Sequence, residues 1–240
     1  MNNAARIAAQ AMNALSLRHD IISSNLANVN TSGYKSDVAT MRSFQSVFNE
    51  KLGLTGGGVA VDSTSVRFDQ GTLVNTGNKF DFAIEGEGFF VIQTPQGQML
   101  TRNGGFVLNQ NGELSTKDGS IVLGESGPIT VNGTDVDVSD DGEIFVDQSS
   151  VGKVRVVSVT DTASLEKAGY GMFKYDPAVT QLQKKPADTK VASGFTESSS
   201  VNAVGQMIDM IENMRLFEAN QKIIISVNDI MNKAISLGKV

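Results

Sequence analysis

The chain has 240 residues, enough to bury one sizeable core or two modest ones, and a net charge of −6 with its basic residues scattered. That balance argues against nucleic acid, whose phosphates need a cationic surface. With no cysteine and one histidine, disulfides, thiolate or histidine zinc sites and most Ser-His or Cys-His machinery are excluded.

The opening stretch MNNAARIAAQAMNALSLRHD is interrupted by Arg6, Gln10 and Asn13, so it does not read as a Sec-type signal. If the chain leaves the cytoplasm, export without a cleaved signal peptide is expected. No apolar run reaches the roughly 18 residues of a membrane span, so direct membrane insertion is not expected. Instead Ala5, Ala8, Met12, Leu15, His19, Ile22, Leu26 and Val29 recur at alternating steps of three and four, the seam of a coiled-coil helix. A second stripe of Ala4, Ile7, Ala11, Ala14 and Ile21 runs beside it, so the helix needs more than one neighbour. His19 lies in the seam beside Asp20; adjacent helix positions point apart, and the pair is read as packing rather than catalysis.

The helix runs into SSNLANVNTSGYK. Asn28 and Asn30 can bond local backbone, Gly33 can take the left-handed conformation that stops a helix, and Tyr34 can pack back. Together with Asn25, these asparagines exceed what an exposed cap needs, and their donors and acceptors suit contacts with neighbouring copies. Between 35 and 62 the pattern weakens to a linker, with a short helix expected around 41–52 ahead of Gly56-Gly57-Gly58.

The middle of the chain is β by its punctuation. Strands are expected near 80–84, 89–93, 105–108, 121–123, 144–146 and 153–160, with hairpin turns at Asn111-Gly112, Asn132-Gly133 and Asp141-Gly142. DVSDDGEIFVDQ places Asp137, Ser139, Asp141 and Gly142 at EF-hand spacing. However, Gln148 cannot close such a loop with a bidentate carboxylate, so a hairpin is the reading and no metal is expected. GEGFF and GLTGGG lack the lysine or third glycine of a phosphate cradle, and no carboxylate pair forms a recognisable cleft. No cofactor and no catalytic residue are expected.

Toward the other end, Met207, Met210, Met214, Phe217, Gln221, Ile224, Asn228, Met231 and Ile235 again alternate steps of three and four. Leu216, Ile223, Val227, Ile230, Ala234 and Leu237 form a second stripe, and Gln221 and Asn228 would fix register inside the seam. The expected fold is α+β: N- and C-terminal helices paired as a coiled coil, with a central all-β domain. Its parts are a helix over 1–34, a linker over 35–75, the β domain over 76–192 and a second helix over 193–240. A lone pair of such helices hides little more than one stripe each, so the ends are expected to fold mainly on assembly.

SSNLANVNTSGYK resembles the hallmark segment of the bacterial flagellar axial proteins, the rod and hook subunits. The likeness continues through FDFAIEGEGFFVIQTPQGQMLTRNGGFVLNQNGELSTKDGSIVLGESGPI and GFTESSSVNAVGQMIDMIENMRLFEANQKIIISVNDIM. Length and the short connection between 35 and 62 resemble rod rather than hook members. TRNGGF, VLGESGPI, GMFKYD and SVNDIMNKAISL are most similar to proximal-rod members, with a distal-rod or hook-type subunit as the alternative. The resemblance implies paired terminal helices lining the export channel and an outward β domain. It also implies a periplasmic location in the basal-body rod. The implied partners are other copies, related flagellar rod proteins and the type III export apparatus.

The assembly interface is placed on Met12, Leu15, Ile22, Asn25, Leu26, Asn28, Asn30, Gly33, Met207, Met214, Phe217, Ile224 and Met231. The remaining alternative is a secreted β-domain enzyme or carbohydrate-binding module with helical oligomerisation arms. It would need convergent carboxylates or exposed aromatics, yet aromatics are 6% and mostly Phe at strand positions.

Overall fold

The structure, a computed structural model, describes residues 3–43, 59–133, 136–139, 142–178 and 180–237. The chain is α+β and divides into two compact units. Met1–Ala27, Asp37–Arg67 and Val201–Val240 form one; Asn28–Ser36 and Phe68–Ser200 form the other.

The helical unit holds α1 (Asn3–Ala27), α2 (Ala203–Leu237) and an antiparallel pair of strands, Asp37–Ser43 and Val59–Val66. On α1, Ala8, Ala14, Leu15 and Ile22 are buried. Their spacing follows the 3.6-residue period, and the small alanines let a second helix approach. The two helices touch through named polar contacts as well. Asn213 Nδ2 donates to the Leu15 carbonyl at 3.0 Å, and Arg18 meets Asp209 at 3.3 Å.

The face that α2 turns to α1 differs from the expected seam. Asn213 is buried, and Met210, Phe217, Ile224 and Val227 are half-buried, whereas Met207, Met214, Met231, Gln221 and Asn228 are exposed. Half of the seam is thus rotated by one position. Met210, Phe217 and Ile224 of the seam keep their place, and Asn213, bonded to the Leu15 carbonyl, takes the position expected for Met214. The side chains of Ala4, Ala5, Ala234, Ile235 and Leu237 lie outside the described residues.

Two further expectations need correction near α1. The helix ends at Ala27, so Val29 is beyond it, and the supposed linker carries strands that pair over Asp37–Ser43 and Val59–Val66. Positions 41–43 are strand instead of the start of a short helix; 44–52 and Gly56-Gly57-Gly58 lie outside the described residues.

The β unit is organised around a ten-stranded sheet. Its main path runs Glu166–Gly169, Met172–Lys174, Gly97–Thr101, Phe89–Thr94, Ile121–Gly124, Leu114–Thr116, Phe106–Leu108. Val156–Val159 also pairs with Phe89–Thr94, and Leu182–Lys184 pairs with Val156–Val159. Phe82, Ile84, Phe90, Ile92, Phe106, Leu114, Val122, Ile144 and Val191 form the core. Packing between apolar strand faces is the main source of stability here.

The expected strands are present within a residue or two, except that 153–160 divides into Ser149–Lys153 and Val156–Val159 in different sheets. Asn111-Gly112 turns the hairpin between Phe106–Leu108 and Leu114–Thr116, with Gly112 at φ +76°. Val136–Val138 pairs antiparallel with Glu143–Val146, so the EF-hand-like spacing spans a hairpin; Asp141 itself lies outside the described residues. Asn132-Gly133 is no hairpin turn, because Gly127–Pro128 and Val136–Val138 on its two sides belong to different sheets.

Candidate functional site

The segment after α1 belongs to the β unit and is stitched to the segment that precedes α2. Asn28 closes a local turn, its carbonyl accepting from Thr31 N at 3.1 Å and its Oδ1 from the Thr31 hydroxyl at 3.2 Å. Gly33 N then donates to the Glu197 carbonyl at 2.7 Å, Ser200 N donates to the Tyr34 carbonyl at 3.0 Å, and Ser36 N donates to Ser200 Oγ at 3.1 Å. Gly33 is left-handed, at φ +68°, and a Cβ there would lie 2.4 Å from the Arg102 carbonyl carbon. Glycine is required twice over, for its backbone angle and for the close approach. Its left-handed turn comes six residues after the helix has ended, so it shapes the exit loop and does not cap the helix.

Beneath this seam lies a buried cluster of charges. Lys35 Nζ donates to Glu197 Oε1 at 2.6 Å and to the Asp69 carbonyl at 2.7 Å. Arg102 Nη1 reaches Glu197 Oε2 at 3.3 Å, Arg102 Nη2 donates to the Gly86 carbonyl at 2.8 Å, and Gly71 N donates to Glu197 Oε1 at 2.7 Å. The side chains of Lys35 and Glu197 are each 1% exposed and that of Arg102 is 6% exposed. Burial pulls the Lys35 ammonium below the ordinary lysine value of 10.5, against the opposing pull of Glu197. Burial likewise lowers Arg102, whose guanidinium lies 5.4 Å from the centre of the Phe89 ring. Lys167 covers the cluster from outside, donating to the Lys35 carbonyl at 2.6 Å with its ammonium 4.2 Å from the Tyr34 ring centre.

Both Glu197 oxygens are committed to cations and a backbone donor. The arrangement is a clasp joining five passes of chain, at Lys35, Asp69–Gly71, Gly86, Arg102 and Glu197, the kind of buried ion set whose disruption strands a charge. Sequence reading missed Lys35, Arg102 and Glu197. All three stand inside the segments quoted for the family resemblance, in SGYK, TRNGGF and GFTES; the signal was a charge placed among glycines and apolar residues.

In the helical unit, Asn25 is also spent internally. Its Nδ2 donates to the Asp37 carbonyl at 2.8 Å and to Gln206 Oε1 at 3.3 Å, while its Oδ1 accepts from Asp37 N at 2.9 Å. The carboxamide thus behaves as a strand residue at the start of Asp37–Ser43. Of the expected interface residues, Leu15, Ile22, Asn25 and Gly33 are buried within the chain, which takes them off the surface. Met12, Leu26, Asn28, Phe217 and Ile224 are half-buried, and Asn30, Met207, Met214 and Met231 are exposed.

On α2, Met207, Met214 and Met231 are joined by other exposed apolar side chains. Val204, Met207, Ile208, Ile211, Met214, Leu216, Ile223, Ile225, Ile230 and Met231 of α2 all face solvent, Ile208 at 61% and Ile230 at 65% exposure. An apolar groove of about 390 Å³ between α1 and α2 is lined by Leu15, His19, Asn213, Met214 and Phe217. His19 shares that groove with Ser16 and Glu218 as well as with these packing residues. Asn213 Oδ1 is buried there without a partner among the described residues. The exposed apolar positions of α2 run around more than half of the helix, leaving apolar surface open on either side of the α1 contact.

Three known families match in the order of the chain. "Flagella basal body rod protein" matches residues 6–35, "Flagellar hook protein FlgE/F/G D1 domain" matches 83–146, and "Flagellar basal body rod FlgEFG protein C-terminal" matches 192–237. The flagellar basal-body rod protein FlgG of Buchnera aphidicola is 30% identical over 94% of this chain and 96% of its own. FlgF of Caulobacter vibrioides is 30% identical over 100% of both chains, and FlgF of Mesorhizobium japonicum is 32% identical over 91% of this chain and 90% of its own. A chain that matches these relatives end to end belongs to the flagellar basal-body rod protein family and is a structural subunit of that rod, not an enzyme.

Proposed function

We infer that each copy holds α1 and α2 together as a two-helix coiled coil, and that neighbouring copies and related rod subunits cover the outer face of α2. The product is the proximal part of a hollow periplasmic rod that serves as a drive shaft for motility. The observation that carries this is the set of exposed apolar side chains between Val204 and Met231, which α1 leaves uncovered. Fully burying one such side chain contributes about 1.5–3 kcal/mol, so ten half-exposed ones contribute on the order of 10 kcal/mol before the entropy of docking is subtracted. Heterologous contacts that do not close produce a tube or filament rather than a ring.

Met12, Leu26, Asn28, Asn30, Met207, Met214, Phe217, Ile224 and Met231 supply the interface, the half-buried ones at its margins. Delivery through the flagellar type III export apparatus, without a cleaved signal peptide, agrees with the family resemblance and with a chain free of disulfides. No helix among the described residues is long and apolar enough to cross a membrane. The distal rod is the second reading, favoured by the equal identity to FlgG of Buchnera aphidicola. Immunogold labelling of isolated basal bodies separates the two positions. To test assembly itself, Ile211→Asp with Met214→Glu is expressed in a strain lacking the wild-type gene. The variant should keep the urea midpoint of the isolated chain yet be missing from basal bodies, leaving cells non-motile; normal incorporation overturns the assembly reading.

A further inference from the structure

The β unit carries one solvent-facing aromatic that its own fold does not explain. Tyr170 stands at the tip of the hairpin between Glu166–Gly169 and Met172–Lys174, and at 80% it is the most exposed large apolar side chain among the described residues. Its φ is +51°, between Gly169 at +86° and Gly171 at +72°. A bulky residue is disfavoured in the left-handed region, where asparagine or glycine fits without strain. Position 170 therefore keeps a ring against both solvation and backbone preference, a pattern that points to function when the surroundings enforce it. They do enforce it. Thr101 Oγ1 donates to the Gly171 carbonyl at 2.9 Å, Met172 pairs with Thr101, Phe173 pairs with Leu100, and Thr101, Leu100 and Phe173 are buried. The ring is thus offered on a rigid mount, which lowers the entropy lost when it docks.

A receptor of matching chemistry lies at the other edge of the same sheet. Antiparallel pairing runs from Glu166–Gly169 through Met172–Lys174, Gly97–Thr101, Phe89–Thr94 and Val156–Val159 to Leu182–Lys184. Along the last two strands runs an open groove of about 580 Å³, more polar than apolar, where Leu182 stands with Glu125, Lys153, Arg155, Lys184 and Lys185, while Val156 belongs to the core. Leu182 and the aliphatic stems of Arg155 and Lys184 accept the body of a phenol, their cations favour its electron-rich face, and the open side leaves the hydroxyl in water. Five strand spacings of about 4.8 Å separate the edges, so one chain cannot seat its own ring.

We propose that Tyr170 of one copy seats in the Arg155–Val157 and Leu182–Lys184 groove of a second copy. The contact rests on the rod reading and deepens it: knob and groove at opposite edges make a head-to-tail interface between β units, which propagates where its rotation does not close a ring. Docking of α2 is a separate contact and does not require it.

The absence of cysteine makes the test direct. Tyr170→Cys with Lys184→Cys is expressed in place of the wild-type chain, basal bodies are isolated, and a short bis-maleimide is added. A ladder of dimers and higher multimers is expected from the double variant, and at least a tenfold loss of it from either single variant. Intact basal bodies that contain the subunit but give no ladder overturn the proposal, as does a cross-link to a different protein. Absence of even the wild-type subunit from basal bodies removes the rod reading and this inference with it. A second variant, Tyr170→Asn, relieves the backbone. The isolated chain should melt higher by about 2 °C while motility on soft agar falls at least twofold. A purely structural tyrosine would give the higher melting temperature with unchanged motility, and that result also overturns the contact.

Discussion

Replacing Lys35 with Met tests the clasp at its most enclosed point. The substitution keeps the length and the apolar stem but removes the ammonium that donates to Glu197 Oε1 and to the Asp69 carbonyl. Glu197 then faces only Arg102 at 3.3 Å and Gly71 N at 2.7 Å, in a position 1% exposed. Stranding one partner of a buried ion set costs about 3–5 kcal/mol, so a loss near 4 kcal/mol is expected. Most of that is the penalty of the half-paired Glu197 and not the net worth of the pair. Urea unfolding of the isolated chain, followed by circular dichroism because tryptophan is absent, measures it. The same loss should shift Tm by roughly 8–16 °C for a unit of this size. A companion variant removes all three charges: Lys35→Met, Arg102→Met and Glu197→Leu should recover at least half of the stability, because no charge is left stranded. If Lys35→Met alone costs less than about 1 kcal/mol, water or another group is rescuing Glu197 and the clasp does not hold the exit loop.

Three further outcomes follow from the same geometry. Because Lys35 is held below 10.5, the unfolded chain binds more protons than the folded one between its lowered value and 10.5, so its contribution to stability rises with pH through that window. The stability gap between wild type and Lys35→Met should therefore widen toward pH 10.5, and a gap that narrows would show attraction to Glu197 outweighing desolvation. Gly33→Ala meets both a left-handed backbone and Arg102 main-chain atoms at 2.4 Å, so it should cost at least about 3 kcal/mol in the same urea titration. Asn213→Leu replaces a buried carboxamide whose Oδ1 has no partner, and should stabilise the α1–α2 contact by about 1 kcal/mol in thermal melts followed at 222 nm; a loss there would mean that the bond to Leu15 outweighs the orphaned oxygen.

The parts of the fold governed by short-range pattern were readable in the sequence. The steps of three and four mark both helices, and glycine-bearing turns mark nearly every core strand. What could not be read depends on pairing at long range. Lys35 and Glu197 stand 162 positions apart and Arg102 and Glu197 stand 95 apart, and no periodicity links such residues. Asp37–Ser43 looked like linker because its partner strand lies beyond a glycine run, and because its register is fixed by the side chain of Asn25. The rotated face of α2 was hidden because apolar spacing favours Met214 over its polar neighbour Asn213, whereas Asn213 bonds to the Leu15 carbonyl. The asparagines near the helix exit were recognised as too many for a simple cap, but Asn25 and Asn28 serve bonds within the chain.

The claim that matters most is that the outer face of α2 is covered when the rod is built. Ile208→Cys and Ile230→Cys, each introduced singly into the cysteine-free chain, make that coverage measurable by maleimide labelling of the isolated subunit and of intact basal bodies. Both positions should react rapidly in the isolated chain, at least a hundredfold more slowly in basal bodies, and rapidly again after the rods are dissociated. Equal rates before and after assembly would show the stripe still open to water in the finished structure, and the account of this chain as a subunit joined through its second helix would be contradicted.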